Sequence, residues 1–231
     1  MLARDAAYEV VSTRGWLSLT PAAFRGAVLE RCQLQEFGAG VPVYVIGDEA
    51  GGLYGLVKGA LGIAIAPREN GPYTGHLAMP GSWFGQISAF TRQPRRVGLT
   101  TTRPTVLLHL PLHGLDEIVR CDPAAWRLFG LITIEHLDLS MGSSNDLMIR
   151  DHFKRFVAVL LRLGDCRVAD PPSGQAIEID IVHEEIAYMA NVARTTAGAI
   201  LRKLEAEGHL ALSYRRVSIL APAALRKMLQ N

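Results

Sequence analysis

The chain has 231 residues, 49% of them apolar, with 24 lysines and arginines against 22 aspartates and glutamates, which suits one large domain or two small ones around a sizeable core. No apolar run approaches the roughly 20 residues of a membrane span, and the N-terminus lacks the hydrophobic stretch of a signal peptide, so a cytoplasmic protein without a membrane partner is expected. The three cysteines, Cys32, Cys121 and Cys166, lie too far apart for a zinc spacing or a disulfide framework and read as buried or incidental thiols.

Residues 1–35 have helical character, with Trp16, Leu17, Phe24, Val28 and Leu29 as apolar positions and Thr20-Pro21 as an N-cap and first-turn pair. From about residue 34 to 111 the pattern changes to short β-rich runs punctuated by glycine and proline: VPVYVIG, GLYGLVKG, ALGIAIA, YTGHLAM, VGLTTT and TVLLHL. Such spacing predicts an antiparallel sandwich or roll, with hairpin turns at Gly59 and Gly81.

Asp122-Pro123 then opens a helix that runs to about residue 147. Along it Gly130, Thr133, Leu137, Ser140, Ser144 and Leu147 recur at alternating spacings of three and four, the heptad of a two-helix seam. Mostly small or polar, this seam allows close approach while burying little apolar area. The neighbouring stripe Leu128, Leu131, Ile134 and Met141 is expected to pack on the helix's own domain. Gly142-Ser143-Ser144 is a soft spot expected to kink or loosen the helix. A second helix follows at about 151–163, then a loop at Asp170-Pro171-Pro172-Ser173-Gly174 and a short alternating strand at 177–181.

Residues 182–208, VHEEIAYMANVARTTAGAILRKLEAEG, read as a short helix, a tight turn and a longer helix. Ile186, Met189 and Ala190 give the first an apolar face, and Ala197, Ile200, Leu201 and Leu204 give the second. Asn191 between them tolerates a left-handed turn. Ala187, Ala190 and Ala197 are small where the two helices must cross closely. This is the pattern of a helix-turn-helix, whose second helix enters the DNA major groove. Val182 and Ala193 sit at the two N-cap positions and neither can cap, each leaving about 1 kcal/mol unrealised. Glu184 and Glu185 offset this at the first helix by facing its positive dipole end. Residues 210–220 read as two strands around Tyr214-Arg215-Arg216, a wing, and residues 222–229 as a last short helix. Residues 193–231 hold seven basic side chains against two acids, an excess of five positive charges that leaves the remainder at −3. A basic end on a near-neutral body fits phosphate contact confined to that end.

A roll, one long helix and a winged helix-turn-helix, in that order, resemble the cyclic-AMP receptor protein and fumarate–nitrate regulator superfamily across essentially the whole chain. The resemblance rests on three stretches: LYGLVKG at 53–59, PGSWFGQISAF at 80–90 followed by Pro94-Arg95, and Glu184-Glu185-Ile186-Ala187 through Arg194-Thr195-Thr196 to Leu201-Arg202-Lys203-Leu204-Glu205. It implies an α+β fold: a cyclic-nucleotide-binding-like antiparallel β-roll over residues 1–121, a dimerisation helix over 122–149 and a winged helix-turn-helix over 150–231. It implies a homodimeric transcription regulator that reads a palindromic site on double-stranded DNA and contacts RNA polymerase, for which the loop at 170–174 is a candidate surface.

By the same resemblance, Arg194, Thr195 and Ala199 fall where base-reading side chains project. An arginine fork can bond guanine O6 and N7 together, a threonine is less selective, and an alanine offers only a methyl contact to thymine. Thr196, Arg202, Lys203, Arg215 and Arg216 are candidate phosphate contacts. At the sensor end, Gly85, Ile87 and Ser88 keep the family's backbone anion cradle. Arg95 keeps its arginine, or Arg96 does if the loop is read one residue longer. Gln86 replaces the glutamate that would hold a ribose hydroxyl, and Ser140 and Met141 lie where hydroxyl side chains would meet the purine. Cyclic AMP is therefore not expected to bind tightly. Either a different small anionic effector occupies the roll, or the protein acts without one.

No cofactor is called for. Haem is disfavoured although His76, His109, His113 and His136 are available, because scattered histidines in a roll are mostly structural. An iron–sulfur cluster lacks its cysteines, and a metal-binding cupin enzyme lacks its His-x-His set. A second reading from the residues is a small-molecule sensor that acts through protein partners with a degenerate helix-turn-helix, favoured by the missing caps and Ala199.

Overall fold

The computed structural model describes residues 4–65, 73–169 and 177–230; the loop at 170–174 lies outside them. The chain forms two compact units, Met1–Asp138 and Leu139–Asn231. The fold is α+β, as the sequence predicts.

In the first unit, α1 (Arg4–Thr13), a 3-10 turn (Trp16–Leu19) and α2 (Ala22–Glu30) precede the strands β1 (Gln33–Phe37), β2 (Pro42–Tyr44), β3 (Leu53–Lys58), β4 (Leu61–Ile65), β5 (Tyr73–Ala78), β6 (Trp83–Phe84), β7 (Val97–Thr101) and β8 (Thr105–Leu110). Between β6 and β7 lies α3 (Gln86–Thr91), and α4 (Leu112–Cys121) and α5 (Ala125–Leu147) follow β8. The strands form two antiparallel sheets, ordered β1-β8-β3-β6 and β2-β7-β4-β5. Most consecutive strands therefore change sheet, which is jelly-roll topology.

That topology corrects the two expected hairpins. Gly59 joins β3 to β4 and Gly81 precedes β6, each where the chain passes from one sheet to the other. Both hold positive φ, 103° and 99°, and a Cβ at Gly59 would collide with the Thr105 hydroxyl and the Pro104 carbonyl. The N-terminal helical reading extends too far, since β1 already occupies Gln33–Phe37. Nor does Thr20 cap α2: its hydroxyl donates back to the Leu17 carbonyl at 2.7 Å, and Pro21 takes the cap position.

Two apolar layers follow. Tyr44, Leu56, Leu61, Phe84, Leu99 and Leu107 meet between the sheets. The other face of the β1-β8-β3-β6 sheet, with Leu53, Trp83, Leu108 and Leu110, packs against Trp16, Val28, Leu115 and Phe129 from the helices. Strand β8 is thus apolar on both faces, which explains its near-continuous run VLLHL. Trp16 lies 5.8 Å from Phe24 and 5.9 Å from Trp83 between ring centroids, both edge-on. Of the cysteines, Cys32 and Cys166 are buried and Cys121 is exposed; burial pushes the Cys32 thiol up to about 12.

This aromatic cluster sets the phase of α5. Ala125, Phe129 and Ile132 are fully buried, with Leu128 and Leu131 at the edge. The expected stripe is right at those two leucines and wrong at Ile134 and Met141, which are 53% and 61% exposed. The helix expected to open at Asp122 starts three residues later, at Ala125; the Asp122 side chain accepts the Ala124 N–H at 3.0 Å in the turn that leads into it. The helix continues through Gly142-Ser143-Ser144. A Cβ at Gly142 would collide with the Arg162 guanidinium, so that glycine makes room for a side chain and does not break the helix.

In the second unit, the end of α5 is followed by α6 (His152–Leu163), β9 (Ile177–Ile179), α7 (His183–Met189), α8 (Arg194–Ala206), β10 (Leu210–Ser213), β11 (Arg216–Ile219) and α9 (Pro222–Met228). The Asp151 carboxylate caps α6 through the Lys154 N–H at 2.9 Å. The three strands pair antiparallel in the order β10-β11-β9. Asp146, on the last turn of α5, is fully buried and accepts from Arg162 Nε at 2.6 Å and Arg167 Nε at 3.1 Å. Charge-assisted bonds from two guanidinium groups are what such a buried carboxylate requires.

Candidate nucleic-acid interface and effector cassette

The helix-turn-helix forms from the residues expected to build it. Ile186, Ala187 and Ala190 on α7 and Ala197, Ile200, Leu201 and Leu204 on α8 are all buried. Asn191 makes the turn at φ 50°. Val182 offers α7 no side-chain cap, but the reciprocal bond is present: Glu185 accepts the Val182 N–H at 3.2 Å. Ala193 offers α8 no side-chain cap, and among the described residues no side chain is bonded to the first N–H groups of that helix.

Opposite the buried face, Arg194, Thr195, Ala199 and Arg202 are exposed and Thr196 is half-buried. Spacings of one, four and three along α8 place them on one side. Arg194 opens the helix with its side chain 76% exposed, 3.8 Å from an equally open Glu184 carboxylate. Arg202 lies along the gap left by Gly198. Two of the basic candidates have partners within the unit. Lys203 Nζ stands 4.8 Å over the Phe153 ring. Arg216 on β11 bonds Asp180 at 2.8 Å and Glu178 at 2.9 Å. Arg215 and Tyr214 occupy the exposed tip between β10 and β11, with Arg215 at φ 56°.

The cassette lies in the first unit. Gly85, at φ 98°, precedes α3, and Gln86, Ser88 and Arg95 are buried while Ile87 and Arg96 are exposed. Arg95 lies inward. Its Nη1 donates to the Gly85 carbonyl and its Nη2 to the Gly52 carbonyl, each at 3.2 Å. Its guanidinium carbon is 4.2 Å from the centre of the Tyr44 ring. Its Nε is buried and has no acceptor among the described residues. Ser88 is turned to the Pro94 carbonyl at 3.2 Å.

Gln86 reaches His136 on α5. Its Nε2 lies 2.7 Å from His136 Nδ1, and His136 Nε2 lies 2.9 Å from the Trp83 carbonyl. The carbonyl can only accept, so Nε2 carries the ring proton and Nδ1 accepts from the glutamine amide. Burial holds this imidazole below the ordinary histidine range, against the opposing effect of the Trp83 hydrogen bond. Ser140 and Met141 are exposed on α5 and belong to the second unit. His109 stacks on Tyr54 at 4.4 Å and bonds the Gly51 carbonyl, and His113 is exposed. The side chain of His76 lies outside the described residues. Among the described residues no group of three or more His, Cys, Asp or Glu could hold a metal ion, and no helix is long and apolar enough to cross a membrane.

The partner of Gln86 was not legible in advance, because fifty positions separate it from His136 and nothing local marks the pair. Thr133, Leu137, Ser140, Ser144 and Leu147 are exposed and Gly130 is half-buried. Ile134 and Met141, which do not pack inward, lie beside them.

The cyclic nucleotide-binding domain family matches residues 34–122, and the Crp-like helix-turn-helix domain family matches residues 154–228. The chain is 29% identical over 200 residues to the global nitrogen regulator of Synechococcus elongatus, covering 84% of this chain and 88% of that protein. It is 22% identical over 179 residues to the cAMP-activated global transcriptional regulator CRP of Pasteurella multocida, covering 77% and 85%. A solved transcriptional regulator of the CRP family from Thermus thermophilus has the same fold, with a TM-score of 0.66 at 23% identity, covering 85% of this chain and 97% of that one.

Proposed function

We infer from two facts, that the chain belongs to the Crp/Fnr superfamily of bacterial transcription regulators and that α5 carries an exposed apolar row, that this DNA-binding regulator grips a palindromic operator as a homodimer. Membership makes it a regulator and not an enzyme. The observation that carries the DNA reading is the side of α8 bearing Arg194, Thr195, Ala199 and Arg202, exposed over a fully apolar buried side. Arg194 reads a base, Thr195 adds a permissive hydroxyl and methyl, and Ala199 reads nothing by hydrogen bond. Thr196, Arg202 and Arg215 contact phosphates. Arg216, bonded to Asp180 and Glu178, steadies the wing, and Lys203 over Phe153 contributes long-range charge.

For the dimer, Ile134, Leu137 and Met141 are 53%, 51% and 61% exposed at spacings of three and four, an apolar row that a second copy of α5 would cover, and Leu147 is 46% exposed further along the helix. Gly130, Thr133, Ser140 and Ser144 flank it and permit close approach. The functional division into a sensor at 1–121, a dimer helix at 122–149 and a DNA-binding part at 150–231 is part of the same proposal, as is contact with RNA polymerase once bound.

The roll acts without cyclic AMP. Gln86, in place of the family's glutamate, is hydrogen-bonded to His136, and Arg95 is bonded to the Gly52 and Gly85 carbonyls and stacked on Tyr44. Gln86 and the two terminal nitrogens of Arg95 thus already have partners in the chain, which favours activity without a ligand. The second reading, another small anionic effector, is favoured by Arg95 Nε, which has no acceptor among the described residues. Titration calorimetry with cyclic AMP is expected to give no binding heat at micromolar concentrations; micromolar or tighter binding contradicts the reading.

The DNA function is tested by selection from a random duplex pool. Recovery of a palindromic site is expected, with an affinity that falls steeply as salt is added, by a slope of about 0.9 per neutralised phosphate. A pool from which nothing is retained at low salt favours instead a sensor that works through protein partners.

A further inference from the structure

We propose that Arg155 fixes the angle at which α7 and α8 are presented beyond the end of α5, and thereby the spacing between half-sites that the protein accepts. It is a positioning residue and touches no DNA. The inference rests on the dimeric, palindrome-reading function above.

Arg155 stands on the first turn of α6, and its guanidinium donates four hydrogen bonds to backbone carbonyls. Nη1 reaches Ile149 at 2.7 Å and Arg150 at 3.3 Å; Nε reaches Ala190 at 2.8 Å and Nη2 reaches Asn191 at 3.2 Å. The first two carbonyls belong to the short segment between α5 and α6. The other two belong to the last residue of α7's C-terminal cap and to the turn that leads into α8, where Asn191 holds φ 50°. All four lie at or between helix ends, where carbonyls have no intrahelical partner. The C-terminal end of α7 also carries the negative end of its dipole, which favours a cation there.

The consequence is geometric. Guanidinium donors are fixed in one plane, so a single rigid group sets the position of two chain reversals relative to each other. One reversal is where α5 ends and the other is where the recognition helix begins. The last turn of α5 itself is tied within this unit by Asp146, bonded to Arg162 and Arg167. Within this unit the segment that follows α5 and the helix-turn-helix are therefore joined through backbone carbonyls that no substitution can remove, with Arg155 as the side chain that joins them. In a dimer, a change in that angle moves the two recognition helices relative to each other while leaving the surface of each unchanged. Sequence preference within a half-site and preference for half-site spacing then come from different residues, Arg194 and Arg155.

The test uses full-length protein, the palindrome it recovers from the random pool, that palindrome with its spacer one base pair shorter or longer, and a duplex with one half-site. Wild-type protein is expected to discriminate against the altered spacers by about tenfold or more, since one base pair turns a half-site by a tenth of a helical turn. Arg155→Gln is expected to bind the single half-site within about threefold of wild type while its spacer discrimination falls below about threefold. Arg155→Lys keeps the charge but not the fork, and is expected to resemble Arg155→Gln; it also carries the test if the glutamine variant does not fold. Unchanged spacer discrimination in these variants overturns the proposal. So does full rescue by lysine, or an equal loss on all four duplexes that tracks a lower melting temperature. If wild-type protein recovers no palindrome, the dimeric reading fails and this inference falls with it, a result distinct from a palindrome whose spacer both variants still read.

Discussion

Arg194→Ala is expected to lower affinity for the recovered operator by about 2–6 kcal/mol, since a bidentate arginine–guanine pair is worth about 1–3 kcal/mol and a homodimer makes two. Affinity for unrelated duplex should change far less, because that binding comes from phosphate contacts. The side chain is free to engage: its contact to Glu184 is 3.8 Å long with both groups about three-quarters exposed, an arrangement that water screens to about 0–1 kcal/mol. Arg194→Lys is not expected to restore the operator preference, because an ammonium cannot present two parallel N–H groups to guanine O6 and N7. Equilibrium titration of both variants against operator and scrambled duplex checks this. Equal losses on the two duplexes would place Arg194 among the phosphate contacts.

Arg162→Met is expected to cost about 3–5 kcal/mol of stability in the second unit, because it leaves the buried Asp146 carboxylate with Arg167 alone. Removing the carboxylate as well should recover most of the loss, so Asp146→Leu with Arg162→Met is expected to be more stable than Arg162→Met by itself. Arg167 is 27% exposed in its side chain and can turn to water once its partner is gone. The measurement must report on this unit. All three tryptophans, Trp16, Trp83 and Trp126, lie in the first, so intrinsic fluorescence would miss the change. Hydrogen exchange at amides of α6 and α8 reads it directly, as protection lost in Arg162→Met and regained in the double variant. Wild-type protection in Arg162→Met would mean that water reaches Asp146 and that the cluster contributes little.

Features repeating at short range were legible in the chain, and those joining distant segments were not. The helix-turn-helix was written locally, in the small residues Ala187, Ala190 and Ala197 and in Asn191, and each takes the place expected of it. The wing and the roll were likewise visible as short alternating runs between turn residues. Helix α4 was missed because it starts directly after β8 at Pro111, leaving no polar break between strand and helix. The inward face of α5 was misphased because two rival apolar stripes lie side by side, and the choice between them is made by Trp16 and Phe24, a hundred residues earlier in the chain, packing on Phe129. The Gln86–His136 bond, the Asp146 cluster and the Arg155 carbonyl contacts each join segments that no periodicity links. Gly142 shows the same limit from the other side. Its helix-weakening propensity was legible, but the guanidinium that requires the glycine was not.

The central claim is that two copies of this chain read one palindromic duplex through α8. Sedimentation of the purified protein with the recovered operator tests it most directly. Two chains per duplex are expected, in a complex that dissociates as salt rises and that Arg194→Ala fails to form at the same concentration. One chain per duplex, or no complex at low salt, would contradict it.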